Sequence, residues 1–230
     1  MGLSLDTTEK RALWLLLRYA VYILLLFLLY LALVYVILPQ KWPFSRNRLM
    51  EYMQLTLLTL LSAALGINAL IFARTRKLLL LLMSFSMIAI VREVGKILDK
   101  YIPVLGWKAV FLLVAPLILI LMQLRNGQKL RKQISKFIPS QAMAIFLMGI
   151  IIIIPLAQCI GDASYLRTAI GGEYIHAYET LFEESMELYG YVILLCGAFE
   201  TMLFSWQFHK EEMMIRYGYF RQPKQESPGQ

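Results

Sequence analysis

Long apolar runs alternate with short polar connectors along almost the whole chain. Each run has about 18 to 29 residues, enough for a helix rising 1.5 Å per residue to cross ~30 Å of hydrocarbon. Six such runs occur, at 13–38, 51–73, 78–101, 107–124, 140–160 and 180–208. The pattern predicts an all-α, polytopic membrane protein with six transmembrane helices. We expect a single domain over 1–220 and a disordered polar tail over 221–230, which has nothing to bury.

Basic residues are divided unevenly between the two sets of connectors. If the N-terminus is inside, the inner segments carry 15 Lys and Arg and the outer ones carry 6. Because Lys and Arg are retained on the cytoplasmic side, both termini are expected to be cytoplasmic. We expect the location to be a cell membrane, specifically a bacterial inner membrane.

Composition agrees with this class, since 59% of the residues are hydrophobic and only 17% are charged. The net charge of +8 does not predict nucleic-acid binding, because the basic residues lie in short runs between apolar spans. The connector 125–140 alternates basic residues with Leu130, Ile134, Phe137 and Ile138, so it predicts an amphipathic helix on the inner leaflet. It would either bind anionic lipids or serve only as a topology signal.

The third span ends in four ionisable side chains, Arg92, Glu93, Lys96 and Asp99. A charge at the centre of a spanning helix costs roughly 2.5 to 3.5 kcal/mol, so an intramembrane charge is a candidate functional site. Lys96 is three residues from both Glu93 and Asp99, a spacing at which opposite charges meet on a helix. These four residues therefore either anchor the end of the helix or form a functional site.

Carboxylates from several spans are predicted to reach the same depth, the outer membrane boundary. Glu51 begins the second span, and Glu183 and Glu187 begin the sixth. Glu187 shares a helix face with Gly190 and Gly197, which would let another helix approach closely. We expect the second, third and sixth spans to pack together, with Arg92 and Lys96 between the carboxylates. Such a network either holds the helices together or forms a relay or binding site open to the outside.

A divalent metal site is a further candidate, built from the outer connector before the sixth span. One imidazole and several carboxylates at helical spacing suit a divalent cation, and the candidate ligands are Asp162, His176, Glu179 and Glu183. A solvated helix start would have the same pattern. Glu200, in the inner half of the sixth span, is a separate candidate for proton relay or for a bond to Gln207 or a hydroxyl group.

Recognised catalytic and nucleotide-binding motifs are missing from the sequence, and its two cysteines lie inside apolar spans. Three functions remain open. The first is a small transporter or binding protein whose charged site at the outer boundary takes a cation, a proton or a small polar solute. The second is a non-catalytic subunit, assembly factor or immunity-type protein. The third is an intramembrane, metal-assisted enzyme acting on lipid-linked substrates.

Overall fold

The computed structural model describes residues 7–37, 48–98, 121, 127–171 and 177–216. Every element in this part of the chain is helical. The elements are α1 (Thr7–Ala32, continued by a π-helical turn at Leu33–Ile37), α2 (Arg48–Ile71), α3 (Arg76–Leu98), α4 (Gly127–Phe137), α5 (Gln141–Ile151, continued by a π-helical turn at Ile152–Leu156), α6 (Ala157–Ile160), α7 (Ala163–Ile170) and α8 (Ala177–Arg216).

Four of these helical stretches are long and apolar enough to cross a membrane, namely Thr8–Tyr35, Leu49–Ile71, Gln141–Ile160 and Glu179–Glu211. They coincide with the first, second, fifth and sixth predicted spans. The chain is therefore an all-helical membrane protein, as the hydrophobic pattern predicted. The third predicted span forms α3, a helix of 23 residues. The fourth predicted span, 107–124, lies outside the described residues apart from Leu121.

α8 is the central helix of the bundle and, with 40 residues, is about 60 Å long. It packs against α1, α2 and α5, while α3 packs against α2. The main core lies between these helices, and its members with the least exposure are Leu58, Leu61, Leu65, Leu79, Tyr191 and Ala198. α1 attaches mainly through Leu29 and Leu33. Most of the other large hydrophobic side chains of α1 are exposed, as expected of a helix that faces lipid.

Small residues bring α5 and α8 into close contact. A Cβ atom added to Gly190 would lie 2.3 Å from Ile153 Cγ1, and one added to Gly149 would lie 2.8 Å from Leu194 Cδ2. Gly197 is covered by the ring of Phe146, whose nearest atom would lie 3.0 Å from an added Cβ. The glycines on the face of Glu187 thus do permit a close helix approach, and the approaching helix is α5.

Pro155 explains why the fifth span is not one regular helix. Proline lacks a backbone N–H and its ring clashes with the carbonyl group of the preceding turn. The chain widens locally into the π-helical turn Ile152–Leu156, which contains Pro155, and then resumes as α6. The other end of the span is regular, because Ser140 caps α5 by accepting a hydrogen bond from the Met143 amide.

α4 is the predicted amphipathic helix, but its apolar side packs against the bundle and not into a lipid leaflet. Leu130, Gln133 and Phe137 are buried. Gln133 donates to the backbone carbonyl of Arg74 and accepts from the backbone amide of Leu78, at 3.1 Å. These bonds tie α4 to the turn between α2 and α3, so they place α4 at one end of the bundle.

The close α5–α8 contact leads to a stability prediction. Gly190→Ala should destabilise the protein by about 1–3 kcal/mol, because the new methyl group overlaps Ile153 and the backbone of α5 must move. Gly127→Ala is the matched control, since a Cβ atom there meets no atom within 4 Å. Thermal melting of the detergent-purified variants measures the difference. Equal melting temperatures for the two variants would contradict the close packing described here.

Candidate functional site

Three helices bring polar side chains together at the end of the bundle opposite α4. α2 contributes Gln54 near its start, α3 contributes Arg92 and Glu93 near its end, and α8 contributes Glu187 and Tyr191 in its first half. Because α3 runs antiparallel to α2 and α8, these positions lie at the same depth. We call these five residues the charged cluster.

Arg92 is the centre of the charged cluster. Its Nε and Nη2 atoms donate to Glu93 Oε1 at 2.9 and 2.7 Å, and Nη2 also donates to Glu187 Oε1 at 2.5 Å. The Tyr191 hydroxyl is 3.1 Å from Arg92 Nη2 and donates to Glu93 Oε1 at 3.2 Å. Arg92 therefore links α3 to α8 through charge-assisted bonds, which are the stronger kind of hydrogen bond.

Both carboxylates of the charged cluster are almost completely buried. The side chain of Glu93 is 3% exposed and that of Glu187 is 4% exposed, whereas the side chain of Arg92 is 41% exposed. A buried carboxylate needs a cation and further hydrogen-bond donors to offset its lost hydration. Arg92 supplies the cation for both groups while one side of its guanidinium stays open.

Gln54 connects α2 to the other members of the charged cluster. Its Nε2 atom is 3.3 Å from Glu187 Oε2 and 3.3 Å from the backbone carbonyl oxygen of Glu184. Both carboxylate oxygens of Glu187 are thus engaged, one by α3 and one by α2. The Gln54 Oε1 atom is buried and accepts no hydrogen bond from the residues in the described ranges.

The sequence predicted three of these five residues, Arg92, Glu93 and Glu187, as members of a site. It did not predict that Gln54 and Tyr191 belong to it. Tyr191 lies four residues after Glu187, so both side chains share a helix face, and that spacing was the available signal. Gln54 lies only on the flank of the polar face of the second span. Nothing in its local sequence pairs it with a residue 133 positions later.

A cavity of about 440 Å³ borders the charged cluster. Arg92, Tyr191 and Ser86 are its polar contributors. The rest of its lining is hydrophobic and comes from α2, α3, α5 with its π-helical turn, and α8: Leu58, Leu61, Leu82, Phe85, Ile88, Ala89, Phe146, Ile150, Ile153, Ile154 and Leu194. Arg92 therefore borders an apolar space large enough for part of a small molecule.

Glu51 and Glu183, two further predicted members of the charged site, do not join the charged cluster. Glu51 is half-buried and forms no hydrogen bond or ion pair with any described residue. Glu183 lies against Gly161, where an added Cβ would be 3.1 Å from the Glu183 Cβ. Asp99 is outside the described residues, and only the backbone of Lys96, within α3, is described. Their part in the site stays a prediction.

Within the described part of the chain, the candidate ligands do not form a metal-binding group. Asp162 caps α7, accepting hydrogen bonds from the backbone amides of Ser164 and Tyr165 and from the Ser164 hydroxyl. These bonds, led by that of the Ser164 hydroxyl, lower the pKa of Asp162 below its usual value. His176 lies outside the described residues, and within the described ranges no three His, Cys, Asp or Glu side chains stand close enough to hold a metal ion.

A second charged contact lies toward the other end of the bundle and joins α1 to α8. Arg18 Nη1 donates to both carboxylate oxygens of Glu200, at 2.9 and 3.0 Å, and the Tyr22 hydroxyl donates to Oε1 at 2.8 Å. Glu200 is buried. The sequence offered a hydroxyl group as one partner for Glu200 but did not indicate Arg18. The ion pair gives Glu200 a structural role in holding α1.

Other polar side chains of the bundle are joined in separate pairs. Ser62 and Ser86 share a hydrogen bond of 2.6 Å, and Thr75 donates to Ser205 at 2.9 Å. Ser84 bonds to the carbonyl group of its own preceding helical turn. The described core around them consists of leucine and aromatic side chains. Within the described ranges, these pairs do not form a continuous polar route along the bundle.

Comparisons with protein-family models, with curated proteins and with solved structures found no match to this chain. Its function is therefore argued from the charged cluster and the cavity alone.

Proposed function

We propose that this protein is a membrane-embedded binding protein for an amphiphile with a neutral or zwitterionic, oxygen-bearing head. The head accepts hydrogen bonds from Arg92, and the apolar part lies in the neighbouring cavity. The observation that carries the proposal is the half-exposed Arg92 guanidinium, held by two buried carboxylates at the border of a 440 Å³ apolar cavity.

The remaining donors of Arg92 support this assignment. The hydrogen bonds from Arg92 to described residues use its Nε and Nη2 atoms, so Nη1 keeps two N–H donors with no acceptor among those residues. Glu93 and Glu187 hold the guanidinium in a fixed orientation, which lowers the entropy lost when a ligand binds. The same two carboxylates repel an anionic head, and this favours a neutral or zwitterionic one.

The lining of the cavity supports an apolar ligand body. Ligand pockets in proteins are mostly apolar, have about 300–1,000 Å³ of volume and contain a few polar groups that fix orientation. The cavity beside Arg92 matches that description, because Ser86, Arg92 and Tyr191 are its only polar lining residues among those described. An apolar body of this kind suits a lipid-like molecule better than a hydrated ion.

We further propose six transmembrane spans with both termini in the cytoplasm of a bacterial cell. Two observations support this topology. Leu98 ends α3 at the end of the bundle that holds the charged cluster, and Gly127 begins α4 at the opposite end, as the proposed fourth span requires. The α4 end also carries most of the basic residues, which are retained on the cytoplasmic side. The charged cluster then lies toward the outer boundary.

A structural role for the charged cluster is the second candidate. It is favoured by one observation: the bonds from Arg92 and Gln54 to Glu187 join three different helices. In that case the charged cluster holds α2, α3 and α8 together, and the protein is a non-catalytic subunit or assembly factor.

Filling the cavity should remove a bound lipid. We expect wild-type protein purified in mild detergent to retain a lipid in roughly stoichiometric amount, and Ala89→Trp to lose most of it, because Ala89 lines the cavity. Arg92→Gln should bind roughly tenfold more weakly, since a hydrogen bond from a charged donor is lost. Native mass spectrometry measures the retained lipid.

Leu70→Trp is the matched control for the cavity test, because Leu70 is 77% exposed and lies outside the cavity lining. It should retain lipid like the wild type. Equal lipid content in Ala89→Trp and wild type, or none in the wild type, would contradict the proposed binding function.

Glu187→Ala should destabilise the protein more than Glu184→Ala. The first substitution removes the acceptor of both Arg92 and Gln54 and should cost about 1–3 kcal/mol. Gln54 contacts the backbone carbonyl of Glu184, so Glu184→Ala leaves the bonds of the charged cluster in place and should be the milder change. Melting temperature and lipid retention are measured together. Loss of stability in Glu187→Ala with unchanged lipid retention would favour the structural role, and equal stability of the two variants would contradict the described contacts.

A further inference from the structure

One exposed face of α4 carries basic side chains. Lys129, Arg131 and Lys132 are exposed, and none of their side chains forms an ion pair or hydrogen bond with any residue in the described ranges. We call these three residues the basic face of α4. Lys136, in contrast, is engaged, since its Nζ atom lies 4.7 Å from the Phe208 ring centroid and 3.9 Å from Glu211 Oε2.

The orientation of this face is fixed by the packing of α4. Leu130, Gln133 and Phe137 are buried on the opposite side of the helix. The Phe137 ring packs edge to face against the Phe204 ring of α8, with 5.4 Å between the ring centroids. Gln133 forms hydrogen bonds with the turn between α2 and α3 and the start of α3. A helix held at three points keeps its basic side chains directed away from the bundle, so little conformational entropy is lost when they bind.

The depth of α4 matches the head-group region of a bilayer. Trp206 of α8 is 60% exposed and lies between Phe204 and Phe208, the residues that contact Phe137 and Lys136. Exposed tryptophan is enriched at the membrane–water interface. Ile138, directly after α4, is 59% exposed, as expected where the chain enters hydrocarbon. The basic face thus lies beside lipid head groups.

The positive charge of this face determines which kind of ligand it attracts. Three cations within four residues, with no acidic partner among the described residues, attract a surface that carries negative charge. Helical residues three apart have side chains about 5–6 Å apart, which lets Lys129 and Lys132 contact one phosphate group together.

We propose that the basic face of α4 binds the head groups of anionic phospholipids in the adjoining leaflet. This surface lies at the opposite end of the bundle from the charged cluster and does not depend on the amphiphile proposed for the cavity. It recognises negative charge, whereas the cavity site disfavours it.

The test compares the binding of dioleoyl phosphatidylglycerol and dioleoyl phosphatidylcholine to the full chain in neutral detergent, by native mass spectrometry at low ionic strength. The test variant is Lys129→Gln/Lys132→Gln. Lys10→Gln/Lys210→Gln is the control, because it removes the same charge from exposed positions on α1 and α8. All four side chains are on the surface, so both variants should melt like the wild type without added lipid.

We expect the wild type and the control to prefer phosphatidylglycerol. The test variant should bind phosphatidylglycerol roughly twenty-fold more weakly, because each basic residue near an anionic surface contributes about a factor of five. Added salt should remove the preference. Equal binding of the two lipids by the wild type, or equal phosphatidylglycerol binding by the test and control variants, would overturn the proposal and leave these residues as topology signals or as a surface for another macromolecule.

Discussion

The bundle depends on one electrostatic constraint: two carboxylates from different helices are buried, and both bond to the same guanidinium group. Glu93 and Glu187 come from α3 and α8, and Arg92 is the group that bonds to both. An uncompensated charge in this position would cost several kcal/mol, far more than one leucine contact contributes. The relative position of the two helices at this end is therefore set by the length and planarity of one guanidinium group. Gln54 extends the same constraint to α2.

The same constraint leaves the protein with two chemically different ends. At the end that holds the charged cluster, the carboxylates occupy one side of Arg92 and leave the other side at the border of an apolar cavity. At the α4 end, the apolar side of α4 packs against the bundle and its basic side remains exposed. The first arrangement suits a neutral, lipid-like ligand, and the second suits an anionic bilayer surface. Between them, the polar groups are closed into local pairs, so the two ends are separated by a hydrophobic core.

The sequence predicted the features that depend on local periodicity. Hydropathy located the membrane helices, and helical spacing put Glu187, Gly190 and Gly197 on one face of the last span. Features that depend on which helices become neighbours were missed. The two glycines pack against α5, although nothing in the sequence distinguishes that helix from α2 or α3 as the partner. Arg18 and Glu200 are 182 residues apart, and their pairing requires the fold. The apolar side of α4 was assigned to lipid because the amphipathic pattern is the same whether the covering surface is lipid or protein.

The most direct test of this account is a double-mutant cycle between Arg92 and Glu187. The free energy of unfolding in detergent is measured for Arg92→Gln, Glu187→Gln and the double variant. Because either single substitution already breaks the Arg92–Glu187 ion pair, the double variant should be more stable than the sum of the two effects requires, by at least about 1 kcal/mol. Additive effects, within about 0.5 kcal/mol, would contradict the claim that Arg92 and Glu187 hold this end of the bundle together.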